Sequence, residues 1–151
     1  MLDGLQEGLQ EGLKRDLAMK HMINRLESFK EWPFQSDCNC TPLSMAEAGL
    51  YHCPTDTSPD LVRCFVCGLE LDWWDPADIP WEEHAKFTEG CPWIAKKLSE
   101  KMGTKKMLMA MMEICTFILK RWANVLLDKQ QEYRQFVREK IEREVLKMKK
   151  K

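Results

Sequence analysis

Apolar residues recur along the C-terminal third of the chain with the period of an α-helix. From Leu108 onwards they follow at intervals of three and four, and neither proline nor glycine occurs between Thr104 and Lys151. This spacing places apolar side chains on one helical face and predicts a long amphipathic helix over residues 104–148. The predicted stripe consists of Leu108, Met111, Cys115, Ile118, Trp122 and Val125. Such a helix would be about 65 to 70 Å long, more than a small domain can cover.

A second apolar repeat lies at the N-terminus. Leucines recur every fourth residue from Leu5 to Leu17, which indicates a helix. Glycines at every fourth position from Gly4 to Gly12 oppose it, because each costs about 1 kcal/mol relative to alanine in a helix interior. We therefore predict that residues 1–12 fray and residues 14–28 form a helix, with residues 1–18 as a partly helical extension.

The central region, residues 19–98, carries short elements separated by turn-forming residues. Thr41 as N-cap and Pro42 at the first helical position predict a short helix that ends at Gly49. Residues 50–53, 61–64 and 69–72 are short apolar segments typical of strands in a small antiparallel sheet. Pro80 opens a further helix, which Gly90 ends. The central region is therefore predicted to be a small α+β domain.

Charge and composition argue against some classes of function, namely general binding to nucleic acid or membrane. The 151 residues have room for one ordinary domain and an extension, and the net charge of −1 gives no general attraction to nucleic acid or membrane. No apolar run approaches the roughly 20 residues of a membrane helix, and the acidic N-terminus lacks the pattern of a signal peptide. We expect an intracellular protein without membrane contact. Residues 54–93 hold nine acidic and two basic residues, so this region is a candidate surface for a cationic ligand.

Four potential metal ligands lie in the acidic region. Cys64 and Cys67 are two residues apart, as in a zinc knuckle, and His84 and Cys91 follow with Gly90 between them to let the chain turn back. The odd total of seven cysteines and the expected reducing compartment disfavour disulfides, whereas a redox dithiol at the Cys-x2-Cys pair remains an alternative. We predict one structural zinc ion per chain, because four protein donors complete a tetrahedral site. The chain is then not expected to be an enzyme.

Longer motifs resemble a known family. The segments RLESFKEWPF, CTPLSMAEAGLYHCP and RCFVCGLELDWWDPADIPWEEH, together with Cys91, resemble the baculovirus inhibitor-of-apoptosis repeat (BIR). The resemblance implies short helices around a three-stranded antiparallel sheet, stapled by one zinc ion. A single repeat followed directly by a long helix resembles the members of this family that act in cell division.

The resemblance also implies functions. Those members belong to the chromosomal passenger complex: Borealin and INCENP helices pack on the long helix, and the repeat binds the N-terminus of a histone tail. Aurora B kinase is thereby placed, indirectly, at centromeres in mitosis and at the spindle midzone later, in a protein of cytoplasm and nucleus. The alternative function in the family is inhibition of apoptosis, through caspases or their antagonists. A ubiquitin ligase would need a RING, for which only Cys115 remains after Cys91.

Residue roles follow from the same resemblance. Peptide binding is implied for Glu70, Asp72, Trp74 and Asp78, and phosphorylation for Thr41. Contacts with a partner helix or in a homodimer are implied for Leu13, Leu17, Leu108, Met111, Ile118, Trp122 and Val125. The positions at which relatives contact a ligand phosphate are Leu69 and Phe87 here, and neither side chain can donate a hydrogen bond.

Overall fold

The computed structural model describes residues 2–96 and 103–148. Within these ranges the elements are α1 (Leu2–Ala18), α2 (Met22–Ser28), a 3-10 turn (Phe29–Glu31), α3 (Pro42–Glu47), β1 (Leu50–His52), β2 (Val62–Cys64), β3 (Glu70–Leu71), α4 (Pro80–Phe87), α5 (Pro92–Lys96) and α6 (Thr104–Met148). The predicted domain boundary at residue 98 lies outside the described residues. None of the described helices carries an apolar stretch that could cross a membrane.

The three strands form one antiparallel sheet in the order β1-β2-β3. Leu50 pairs with Cys64 across the first ladder, and Arg63 pairs with Glu70 across the second. The predicted α+β fold, with a three-stranded sheet, short helices and a long C-terminal helix, is confirmed. Helix α3 begins as predicted, because Thr41 Oγ1 accepts a hydrogen bond from Ser44 N at 3.3 Å.

The core of the central domain is built around a buried arginine. Arg25 on α2 is only 2% exposed. Its Nε donates to Ala46 O on α3 at 2.8 Å, and its guanidinium lies 4.8 Å from the Phe65 ring centroid and 5.1 Å from that of Trp93. Arg25 therefore connects α2, α3 and two aromatic side chains of the core.

The prediction for the N-terminal helices was wrong at two points. Helix α1 already includes the glycine-rich segment that was expected to fray, and the helix expected over residues 14–28 is interrupted between Ala18 and Met22. The interruption has a physical cause: Asn24 Nδ2 donates to Ala18 O at 2.8 Å, and the guanidinium of Arg25 donates to Met19 O at 2.6 Å. These side chains donate hydrogen bonds to the carbonyl groups at and just after the end of α1. The helical hydrogen bonding therefore stops there, and a new helix begins at Met22.

Helix α1 is attached to the sheet through a buried carboxylate. Asp16 is fully buried and accepts a hydrogen bond from the Tyr51 hydroxyl at 3.1 Å, while Arg63 Nε lies 3.9 Å from Asp16 Oδ1. Tyr51 and Arg63 pair across β1 and β2, so one carboxylate of α1 contacts both strands. This contact helps to hold a helix whose glycines disfavour it.

Helix α6 is described in two parts, because one compact unit extends to Leu119 and a second begins at Lys120. In the first unit, α6 buries Ala110, Ile114 and Ile118, whereas Leu108 is 60% exposed and Met111 is half-buried. The face buried within the chain is therefore offset from the predicted stripe. In the second unit, Trp122 and Val125 are half-buried and most other side chains are exposed.

Candidate metal centre and peptide groove

Three structural elements bring the four predicted metal ligands together. Cys64 ends β2, and the turn after it presents Cys67 before Gly68, whose φ of +78° suits a residue without a side chain. His84 lies on α4, and Cys91 directly precedes α5. The chain reverses between α4 and α5 at Gly90, which has a φ of +138°. The turn that the spacing required is therefore present.

The distances between the donor atoms fit a tetrahedral metal ion. Cys64 Sγ and Cys91 Sγ are 3.9 Å apart, and Cys67 Sγ and His84 Nε2 are 3.4 Å apart. All four donor atoms lie within 4.8 Å of one another. Zinc bonds of about 2.3 Å to sulfur and about 2.0–2.1 Å to nitrogen give tetrahedral edges of about 3.5–3.8 Å. These four residues are therefore positioned to bind a metal ion.

Neighbouring backbone groups orient the ligands. His84 Nδ1 donates to Ala48 O at 2.9 Å, which leaves the lone pair of Nε2 for the metal. Val66 N donates to Cys64 Sγ at 3.3 Å, a contact that favours the thiolate. Ala48 caps α3, and the adjacent Gly49 leaves no room for a larger residue, because a Cβ there would lie 2.7 Å from Trp93 Cδ1.

The protonation states of the ligands differ in the absence of a metal ion. Hydrogen bonds from Cys64 and Cys91 lower the pKa of Cys67, whereas burial raises the pKa of Cys64. Burial lowers the pKa of His84, but hydrogen bonds to Cys67 and Cys91 outweigh it and raise the value to about 9. A metal ion at this site would coordinate the Cys67 thiolate directly and would displace the protons of the His84 imidazolium and of the Cys64 thiol, so metal binding would release protons.

The other cysteines do not join this cluster. Cys40 is buried and its Sγ lies 3.5 Å from Asp75 O, while Cys38, Cys53 and Cys115 are half-buried. Burial raises the pKa of Cys40 to about 12 and that of Cys53 to about 11, so both thiols stay protonated at neutral pH. In residues 2–96 and 103–148, the Cys64, Cys67, His84 and Cys91 cluster is the one arrangement with metal-ligand geometry.

A groove lies beside the metal centre, after the third strand. It encloses about 180 Å³ and is lined by Leu71, Asp72, Trp73, Trp74, Asp78, Glu83 and Phe87. Three of the four residues predicted to bind a peptide line this groove. Glu70 does not, because its carboxylate accepts a hydrogen bond from Arg63 Nη1 at 2.7 Å on the neighbouring strand.

Hydrogen bonds fix the loop that carries the groove. Asp75 N donates to Asp78 Oδ2 at 2.8 Å, and Trp74 N donates to Asp60 Oδ2 at 2.8 Å. Asn39 bonds to the same loop twice, from its backbone N to Pro76 O and from Nδ2 to Ala77 O, each at 2.8 Å. The sequence analysis missed Asn39 and Asp60, because contacts between distant segments leave no local pattern.

Two groove residues were overlooked for different reasons. Trp73 is 87% exposed, whereas tryptophan side chains are highly buried on average, so its type alone did not indicate the groove. Glu83 lies in the first turn of α4, and its position on the groove side depends on how α4 packs, which the local sequence does not show. The available indication was the pair of tryptophans directly after β3, next to acidic residues.

The remaining predicted sites have defined positions but stay predictions. Thr41 is half-buried, and its hydroxyl oxygen caps α3. Leu13 and Leu17 on α1 are both half-buried. No contact with a second chain tests their roles, or those of Leu108, Met111, Ile118, Trp122 and Val125.

Comparison with known proteins identifies the family. Residues 25–95 match the family model of the Inhibitor of Apoptosis domain, BIR. Baculoviral IAP repeat-containing protein 5.2-A of Xenopus laevis is 41% identical over 123 residues, which cover 81% of this chain and 78% of the relative. Baculoviral IAP repeat-containing protein 5 of Rattus norvegicus is 49% identical over 86 residues, covering 56% of this chain and 61% of the relative.

The chain therefore belongs to the BIR family, as its motifs indicated. Its relatives of the protein 5 type are survivins, so within the family it is survivin-like. Proteins of this family are generally not enzymes and act through protein partners.

Proposed function

We propose that this chain is a non-enzymatic adaptor of the chromosomal passenger complex. Its BIR groove would bind the free N-terminus of a histone tail, and its long helix would bind Borealin-like and INCENP-like helices. The adaptor would thereby place aurora B kinase on chromatin during mitosis and cytokinesis. The observation that carries the proposal is the combination, in one survivin-like chain, of an acidic groove with a long helix that exposes many apolar side chains.

The proposal assigns a structural role to one zinc ion per chain. The ion would be held by Cys64, Cys67, His84 and Cys91. It would cross-link three segments, namely the turn after β2, helix α4 and the start of α5. Four protein donors fill a tetrahedral coordination sphere, so no position is left for a substrate or an activated water. Zinc bound in this way stabilises the fold.

The chemistry of the groove supports an ammonium ligand. Asp72 and Asp78 carry carboxylates on opposite sides of Trp74 in sequence, and all three residues line the same cavity. Carboxylates form charge-assisted hydrogen bonds with an α-ammonium group. The Trp74 side chain lines this cavity and is only 7% exposed, so its indole gives the ligand an apolar wall.

The long helix supports binding to partner helices. Apolar side chains exposed along α6 include Leu108, Met109, Met112, Leu119, Leu126, Leu127, Phe136, Ile141, Val145, Leu146 and Met148. Exposed apolar side chains at helical spacing are typical of surfaces that pack against other helices. The methionines add adaptable surface. A homodimer through Leu13, Leu17 and Leu108 is an alternative use of part of this surface, in competition with the partners.

The proposed location follows from the proposed complex. The chain would be present in cytoplasm and nucleus, at centromeres in mitosis and at the spindle midzone in late division. Phosphorylation of Thr41 would add negative charge at the N-terminus of α3, where the helix dipole favours it.

Two experiments test the proposal. Co-expression with helical fragments of Borealin and INCENP should give a 1:1:1 complex in light scattering after gel filtration, and Leu126→Glu with Leu127→Glu should abolish it. Calorimetry of the zinc-loaded chain should detect binding of a peptide that begins Ala-Arg-Thr-Lys and no binding after N-acetylation. Protection of caspase activity without either result would favour the apoptotic alternative and overturn the proposal.

A further inference from the structure

The groove contains more aromatic side chains than the binding of an α-ammonium group requires. Trp73, Trp74 and Phe87 line it together with three carboxylates, those of Asp72, Asp78 and Glu83. None of the described residues that line the groove is basic, and the ammonium of the adjacent Lys86 is already paired with Glu83, so the groove offers a phosphate little counter-charge. Its chemistry is instead that of a site for an alkylated cation, which can contact ring faces and a carboxylate at the same time.

Trp73 has an unusual conformation for its position. Its backbone φ is +62°, which lies in the left-handed region that residues other than glycine and asparagine rarely adopt. Its indole is nevertheless 87% exposed, and none of the ring pairs within the described ranges includes it. No ring contact of the indole within the described ranges therefore offsets the backbone strain, and strain of this kind is concentrated at ligand sites.

The opposite wall already holds an ammonium group. Lys86 Nζ lies 3.0 Å and 3.2 Å from the two carboxylate oxygens of Glu83, and 5.6 Å from the centroid of the Phe87 ring. Phe87 is 57% exposed. The Lys86 ammonium thus contacts the Glu83 carboxylate and the Phe87 ring at the same time. These two side chains can therefore bind an ammonium group together.

We propose that Trp73, Phe87 and Glu83 form a second subsite of the groove that binds the methylated side-chain ammonium of a lysine in the bound peptide. The inference rests on the proposed binding of a peptide N-terminus, because that end of the ligand occupies Asp72, Trp74 and Asp78. Methyl groups contact the two rings, and a remaining N–H donates to Glu83. A mono- or dimethylated lysine satisfies both requirements, whereas a trimethylated lysine has no N–H to donate.

The test uses the full zinc-loaded chain and peptides that begin Ala-Arg-Thr-Lys. The lysine is unmodified, mono-, di- or trimethylated, and each peptide is made with a free and with an acetylated N-terminus. We expect dimethylation to tighten binding of the free peptide by about 3- to 5-fold, the range of a partly exposed cation–π contact. Trimethylation should give less, because its ammonium forms no hydrogen bond with Glu83.

Matched variants separate the ring contacts from other effects. Trp73→Gly removes the indole and suits the positive φ, so the fold should be kept while the preference for dimethyl-lysine is lost. Phe87→Leu keeps an apolar side chain without a π face and should reduce the preference, and Trp73→Phe should restore part of it. Tyr133→Ala, which removes an exposed aromatic ring that does not line the groove, should leave the preference unchanged.

The outcomes distinguish this inference from the proposed function. If free peptides bind but methylation changes affinity by less than 2-fold, the subsite is refuted and the adaptor proposal stands. If dimethylated peptides bind equally well with acetylated and free N-termini, the subsite stands and the N-terminal recognition is refuted. If no peptide binds, both are refuted.

Discussion

Replacement of Arg25 by methionine tests whether the hydrogen bonds of this buried guanidinium hold α2 to α3 in the core. Arg25 donates three hydrogen bonds to backbone carbonyls, to Ala46 O at 2.8 Å, to Met19 O at 2.6 Å and to Lys20 O at 3.1 Å. Methionine has a similar length and can contact the rings of Phe65 and Trp93 through sulfur. The substitution therefore removes the charge and the donors while it keeps most of the packing.

The magnitude follows from two opposing contributions. Hydrogen bonds from a charged donor contribute about 1.5–3 kcal/mol each, so loss of three of them removes about 4–9 kcal/mol. Burial lowers the pKa of Arg25 from 12.5 to about 10, and at about 1.4 kcal/mol per pKa unit the removal of that buried charge relieves about 3 kcal/mol. We expect a net loss of about 1–6 kcal/mol in the free energy of unfolding.

The assay is guanidinium unfolding followed by tryptophan fluorescence, with zinc in excess for all variants. Lys30→Met is the control, because Lys30 is exposed on the neighbouring 3-10 turn and its loss should change stability by less than about 0.5 kcal/mol. An Arg25→Met variant that loses less than about 1 kcal/mol would refute the idea that these bonds hold α2 to α3.

Three further predictions follow from the structure. Cys91→Ala should abolish stoichiometric zinc binding, measured by a chelator assay on the released metal, and chelation of the wild-type chain should lower its melting temperature. Gly49→Ala should destabilise by about 2–4 kcal/mol in thermal unfolding, because the φ of +81° and the Trp93 ring both oppose a Cβ; a smaller loss than for Gly103→Ala would contradict this. Burial and then Asp16 raise the pKa of Tyr51 above 10, so the neutral phenol contributes stability that is complete below pH 10 and lost as pH rises further. Tyr51→Phe should flatten that alkaline loss in unfolding measured from pH 8 to 11.

The features that the sequence predicted are those with short-range causes. The strands and α3 follow from turn residues and capping within a few positions, as the Thr41 cap shows. The metal cluster also has a short-range component, because Cys64 and Cys67 share one turn. His84 and Cys91 could be added since the chemistry of zinc allows few other ligands in this region.

The features that the sequence did not predict depend on contacts between distant segments. Burial of a charged residue such as Arg25 is rare, so composition argues against it until the acceptors on α3 and after α1 are in place. The break between α1 and α2 has the same origin. The exposure of Trp73 depends on one positive φ in a loop, where hydrophobicity alone favours burial.

The metal centre and the groove share one helix, α4, so the metal ligands and one wall of the groove lie on the same short element. On α4, His84 directs its Nε2 to the cluster, while its neighbour Glu83 and, one turn later, Phe87 line the groove. The other groove residues follow β3, which pairs with β2, the strand that ends in Cys64. A metal ion that joins Cys64 to His84 therefore fixes both walls of the groove relative to each other. In a domain with two- and three-residue strands, hydrogen bonding within the sheet is too limited to do so alone, so the proposed ligand binding would depend on metal binding.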